Sequence, residues 1–116
     1  MKKIGIDAID FYVPLLGLKI HDLAIARNIE PAKLEKGLGL KAMALMDVNE
    51  DAASMAANAL DKLITKNNID PTKIGRIYLG TESALDAAKP TATYAVGMVE
   101  EKKKSEFEKR CLKNCD

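Results

Sequence analysis

Ala52, Ala56, Ala59, Leu60 and Leu63 recur at helical spacing along one stripe, while Asp61, Lys62 and Lys66 fall elsewhere around the same turns. Alanine leaves little side-chain volume between a helix and whatever it covers. A stripe made this way requires close approach to a neighbouring helix or sheet. Asp47-Val-Asn-Glu50 has the spacing of a capping box and predicts the helix start just after it. The pattern predicts an end near Asn67.

On either side the signals are shorter. In the segment Lys3 to Val13, Ile4, Ile6 and Ala8 share one parity and Ile9, Phe11 and Val13 the other, predicting two short strands or one with a bulge. Pro14 has no N–H to donate and ends that ladder, leaving Leu15 to Lys19 as a loop. Ile20, Leu23 and Ala24 predict a helix over about Ile20 to Asn28. The Glu30 to Leu40 stretch opens with a proline and closes with two glycines, the chemistry of a short helical turn, and Lys41 to Met46 reads as a brief strand or an extended connector. Asn68-Ile-Asp-Pro-Thr72 is a turn, Ile74 to Leu79 a short buried strand, and Thr81 to Lys89 a loop of small residues. Pro90 then opens a last helix with Ala92, Ala95, Val96 and Val99 on one face. Lys102-Lys-Lys104 reads as its solvated end. No internal repeat or low-complexity linker stands out.

The 116 residues are 47% hydrophobic and 30% charged, which excludes a disordered chain and fits one domain or part of one. Eighteen basic against seventeen acidic residues leave a net charge of +1, too little to attract nucleic acid as a partner. No apolar run approaches the roughly 20 residues that cross a bilayer, and the start lacks a signal-peptide core, so no membrane partner and a cytoplasmic location are expected. Cys111 and Cys115 are too few for a disulfide framework and lack the partners of a zinc site; they read as reduced thiols.

Strand and helix alternate, which indicates an α/β layered architecture. A complete sheet needs more strands than these segments supply, so the chain reads as the front part of a larger domain. In such folds ligands collect beyond the carboxyl ends of the strands. Glu82, between Thr81 and Ser83 and just past the last predicted strand, is therefore the ionisable group best placed for general acid/base work. The alternative is a glutamate that caps a turn or faces water. Lys33, by itself, reads as a solvated lysine on a short helix. His21, next to Asp22 at a helix start, reads as structural.

Taken together, Ile4-Gly-Ile-Asp-Ala-Ile-Asp-Phe-Tyr-Val-Pro14, Leu23-Ala-Ile-Ala-Arg27, Glu30-Pro-Ala-Lys33 with Gly37-Leu-Gly39, Asn49-Glu-Asp51, and Gly80-Thr-Glu-Ser83 with Asp86 and Lys89 resemble the amino-terminal part of the hydroxymethylglutaryl-CoA synthase family, in order, over about Lys3 to Val99. The resemblance implies a thiolase-like layered fold, with residues 1–116 as the N-terminal portion of a condensing-enzyme domain truncated at its C-terminal end. It implies condensation of acetyl-CoA with acetoacetyl-CoA to 3-hydroxy-3-methylglutaryl-CoA in the mevalonate pathway, by a homodimer using coenzyme A thioesters and neither metal nor separate cofactor. Glu82 matches the family's acid/base, and Glu30, Pro31 and Lys33 match the segment that touches coenzyme A.

The family's acetyl-carrying cysteine follows an alanine and precedes small residues. Cys111, in Lys-Arg-Cys-Leu, and Cys115, in Lys-Asn-Cys-Asp, have no such neighbours, and the carboxylate after Cys115 opposes a thiolate. The chain alone is therefore expected to be inactive. Two other readings stay open: another thiolase-superfamily condensing enzyme, against which Thr81-Glu-Ser83 argues, and a non-catalytic α/β interaction module.

Overall fold

The computed structural model describes residues 4–104 and Leu112. Cys111 and Cys115 lie outside the described residues. The chain divides into two compact units, one comprising Val13–Glu50 and the other formed by the described residues on either side of it.

In the Val13–Glu50 unit, β1 (Leu16–Lys19) pairs antiparallel with β2 (Ala42–Leu45), with Leu16 opposite Leu45 and Lys19 opposite Ala42. The loop expected at Leu15 to Lys19 is thus mostly strand, because Ala42–Leu45 offers its backbone a partner. The Ile20 N–H extends the pairing by donating to the Lys41 carbonyl at 3.1 Å. From there α1 (Ile20–Ala26) buries Ile20 and Ala24, one turn apart on the same face. Asn28 ends the helix in the left-handed region at φ 54°, and the Ile29 N–H reaches back to the Ala24 carbonyl at 2.9 Å, a Schellman exit. A π-helical turn, Lys33–Gly37, follows.

In the second unit, α2 (Ala52–Lys66) and α3 (Thr91–Lys103) pack together. Ala57 and Ile64 meet Ala95, Val99 and Leu112 in a common core, with Ala56, Leu60, Ile74, Ile77 and Val96 around it. Alanines at 57 and 95 leave little side chain between the helices. Ile64 and Val99, 3% and 1% exposed, each contribute on the order of 1.5–3 kcal/mol by leaving water. The α2 helix exits as α1 does: Asn68 at φ 51°, with the Ile69 N–H on the Ile64 carbonyl at 3.0 Å. Asp70 then caps a 3-10 turn, Pro71–Lys73, accepting from the Thr72 N–H at 3.0 Å.

Several expectations need correction. The capping box of α2 is Asp51 with Ser54, one turn later than Asp47 with Glu50: Asp51 accepts the Ser54 N–H at 2.7 Å and Ser54 accepts the Asp51 N–H at 2.8 Å. Glu50 does accept the Asp47 N–H at 2.9 Å, but in the turn before the helix. The fully buried stripe is Ala53, Ala57 and Ile64, displaced by one residue from the expected one. Neither 4–13 nor 74–79 forms a strand, and the strand pairing among the described residues is that of β1 with β2 alone; Ile4 is 99% and Tyr78 83% exposed. Lys102 to Lys104 is not simply a wet end, because α3 runs through Lys103, whose side chain is buried against Asp61 at 3.3 Å.

The polar face of α2 is also employed. Lys62 and Lys66, one turn apart, grip the buried Asp10 carboxylate at 3.3 and 3.1 Å. Lys62 donates as well to the Phe11 carbonyl at 3.0 Å and stands 5.0 Å from the centre of that ring. This anchors the amino-terminal stretch to α2.

Candidate functional site

Glu82 lies in the exposed segment that leads from Ile77, packed on the core, to the start of α3. Regular structure is absent there, so side chains supply the order. The Ser83 N–H donates to the Thr81 hydroxyl at 3.0 Å, turning the chain at Glu82. Asp86 organises the next stretch: its Oδ1 accepts the N–H groups of Ala88 at 2.8 Å and Lys89 at 3.2 Å, and its Oδ2 accepts the Tyr94 hydroxyl at 3.1 Å. These donors, the Ala88 N–H foremost, hold the Asp86 carboxyl below the usual carboxylate range, and the same contact raises the Tyr94 phenol. The Lys89 ammonium lies 4.2 Å above the Tyr94 ring.

An open cleft of about 460 Å³ adjoins this segment, lined among others by Tyr78, Thr81, Ala84, Asp86, Lys89 and Thr91. Thr81 and Ala84 line it, whereas Glu82, between them in sequence, is not among its lining residues; Glu82 is exposed and makes no hydrogen bond or ion pair among the described residues. Tyr94 is not among the candidates drawn from the sequence. The available signal is Asp86, whose spacing to Ala88 and Lys89 is that of an aspartate capping the N–H groups two and three residues on.

Glu30, Pro31 and Lys33 belong to the other unit. Glu30 and Lys33 are exposed and Pro31 half-buried. The Lys33 N–H donates to the Glu30 carbonyl at 3.0 Å, which brings these residues into one turn at the opening of the π-helical segment. That turn closes at Gly39, at φ 68°, with the Leu40 N–H on the Leu34 carbonyl at 3.2 Å. Asn28-Ile-Glu-Pro31 repeats the pattern of Asn68-Ile-Asp-Pro71, a four-residue repeat that the sequence reading passes over. The comparison is instructive: Asp70 spends its carboxylate as a cap, whereas the longer Glu30 makes no such bond among the described residues. His21, on α1, places Nδ1 at 3.4 Å from Glu35 Oε1, a local tie between helix and turn. No group of three or more His, Cys, Asp or Glu among the described residues is arranged to hold a metal ion.

Comparison with known proteins bears on both units. The chain is 40% identical over 102 residues to the hydroxymethylglutaryl-CoA synthase of Haloferax volcanii, covering 87% of this chain and 23% of that protein. It is 35% identical over 111 residues to the enzyme of the same name from Methanosarcina acetivorans, covering 93% and 32%. It therefore spans about a quarter to a third of these curated relatives. Among solved structures, one described as MvaS in complex with 3-hydroxy-3-methylglutaryl coenzyme A matches 85% of this chain and 24% of its own, at 41% identity and a TM-score of 0.74. An HMG-CoA synthase complexed with CoA matches 78% and 23%, at 36% identity and a TM-score of 0.64. The fold is thus the amino-terminal part of the thiolase-like architecture. With the model for the N-terminal region of hydroxymethylglutaryl-coenzyme A synthase matching residues 1–115, the chain belongs to that family.

Proposed function

We propose that these 116 residues form the amino-terminal part of an enzyme that condenses acetyl-CoA with acetoacetyl-CoA to 3-hydroxy-3-methylglutaryl-CoA, acting in the cytoplasm as a homodimer. The observation that carries this reading is the 41% identity, at a TM-score of 0.74, to a synthase solved with 3-hydroxy-3-methylglutaryl coenzyme A. An exposed Glu82, in the segment whose Thr81 and Ala84 line the cleft, is consistent with it.

In this mechanism Glu82 removes a proton from the methyl group of a cysteine-bound acetyl, and the carbon nucleophile attacks the ketone of acetoacetyl-CoA. The proton then returns to the new alkoxide, and water cleaves the thioester to the cysteine, which leaves the product's free carboxylate and restores the thiol. A weakly acidic C–H bond demands a base held close to it and without a competing ion pair, which suits Glu82. Glu30, Pro31 and Lys33 are assigned to coenzyme A. The Lys33 ammonium offers charge to a phosphate, and Pro31 offers a rigid surface and a carbonyl. Cys111 and Cys115 lack the neighbours of an activated thiol, so the acetyl carrier is assigned to a further segment of the full-length protein.

The test is Glu82→Ala in the full-length synthase, with the two half-reactions measured separately. Condensation should disappear while acetylation of the cysteine persists. Near-normal condensation by that variant rules the assignment out.

A further inference from the structure

The exposed segment that carries Glu82 has a clasp. Between Gly80 and Pro90 every residue is exposed, so packing alone does not fix the backbone. Asp86 is tied at three points, to the N–H groups of Ala88 and Lys89 and to the Tyr94 hydroxyl. The first two ties are internal to the segment. The third reaches a half-buried side chain on the first turn of α3, whose own position is set by Ala95 and Val99 in the core. Lys89 rests on the same ring, so Tyr94 engages the segment by both its hydroxyl and its face.

We propose that Tyr94 is a positioning residue for the condensation step: through Asp86 it shortens the free span that carries Glu82 and so narrows the positions that carboxylate can take. This rests on the role assigned to Glu82 above. Loop entropy rises with the number of unfixed residues, and pinning Asp86 to a rigid helix removes the half of the segment beyond it from the search. Proton abstraction from carbon depends steeply on the distance and direction of the base. Coenzyme A, by contrast, is assigned to Glu30, Pro31 and Lys33, none of which belongs to the clasp.

Tyr94→Phe removes one oxygen and keeps the ring on which Lys89 lies. In the full-length synthase it should lower kcat for condensation about tenfold, leave KM for acetoacetyl-CoA within about twofold, and leave acetylation of the cysteine unchanged. Amide hydrogen exchange at Ala88 and Lys89 should accelerate. In an Asp86→Ala background, Tyr94→Phe should have little further effect, since both changes open the same clasp. Unchanged condensation in Tyr94→Phe, with Glu82→Ala inactive, overturns the positioning role and leaves the role of Glu82 standing. Equal losses of acetylation and condensation also overturn it, by showing a general structural effect. Retained condensation in Glu82→Ala overturns the reading of Glu82 itself and this inference with it.

Discussion

Lys103 of α3 places its ammonium 3.3 Å from the Asp61 carboxylate of α2, although only 7% of the lysine side chain reaches solvent. Lys102 approaches the other oxygen of Asp61 at 2.6 Å from a far more exposed position. The two-helix core is therefore closed at one end by charge. Burial alone would raise the Asp61 carboxyl, but hydrogen bonds from Lys102 and Lys103 and their positive charge outweigh it and hold it below its ordinary value.

Removing one member of this group leaves a buried charge behind. Asp61→Leu should destabilise the α2–α3 unit by about 2–4 kcal/mol, somewhat below the roughly 3–5 kcal/mol for breaking a fully buried pair because Asp61 is not fully enclosed. Adding Lys103→Met should recover most of the loss. Urea unfolding followed by circular dichroism gives both values, and a double variant as unstable as the single one would show that the lysine is not the residue left in difficulty.

Acid should loosen the protein for the same physical reason at several sites. Asp10 is held down first by the Phe11 N–H, against the opposing effect of burial, and then by Lys66 and Lys62. Asp51 is held by the Ser54 N–H and hydroxyl, Asp70 by the Thr72 hydroxyl and N–H, and Asp86 by the N–H groups of Ala88 and Lys89. Each folded-state pKa lies below the ordinary 3.8, so the unfolded chain binds more protons as the pH falls. The contribution is present above that value and lost as the pH drops through and below it. Urea midpoints should be level from about pH 7 to 5 and fall below about pH 4. A midpoint that rises on acidification contradicts this account.

Lys33→Ala in the full-length synthase should raise KM for coenzyme A thioesters about three- to tenfold with kcat little changed, as expected when an exposed ammonium contributes only to binding. Steady-state kinetics decides it. An unaltered KM returns Lys33 to the solvated surface.

Residue order singles out Glu82 by its place after an expected strand, and the family resemblance adds Glu30, Pro31 and Lys33; in the structure Glu82, Glu30 and Lys33 are exposed and Pro31 is half-buried. The α2 helix was legible too, but its phase was not: alanine stands at 52, 53, 56, 57 and 59, so nearly every face looks apolar, and Ile64 and Leu60 choose the buried one. Strands at 4–13 and 74–79 failed for a different reason. Alternating apolar residues describe a face, whereas a strand exists only when another backbone pairs with it, as Ala42–Leu45 does for Leu16–Lys19. The Tyr94–Asp86 contact spans eight residues across a helix start, beyond any periodicity signal.

The Asp10 anchorage gives the residues before it the character of a leash with one end nailed down. Tension applied at the amino terminus should travel along the extended stretch from Ile4 and reach Lys62 and Lys66 before it reaches the hydrophobic contacts of α2. In a single-molecule pulling record from that end, rupture of this ionic fastening should appear as the first event, ahead of helix separation.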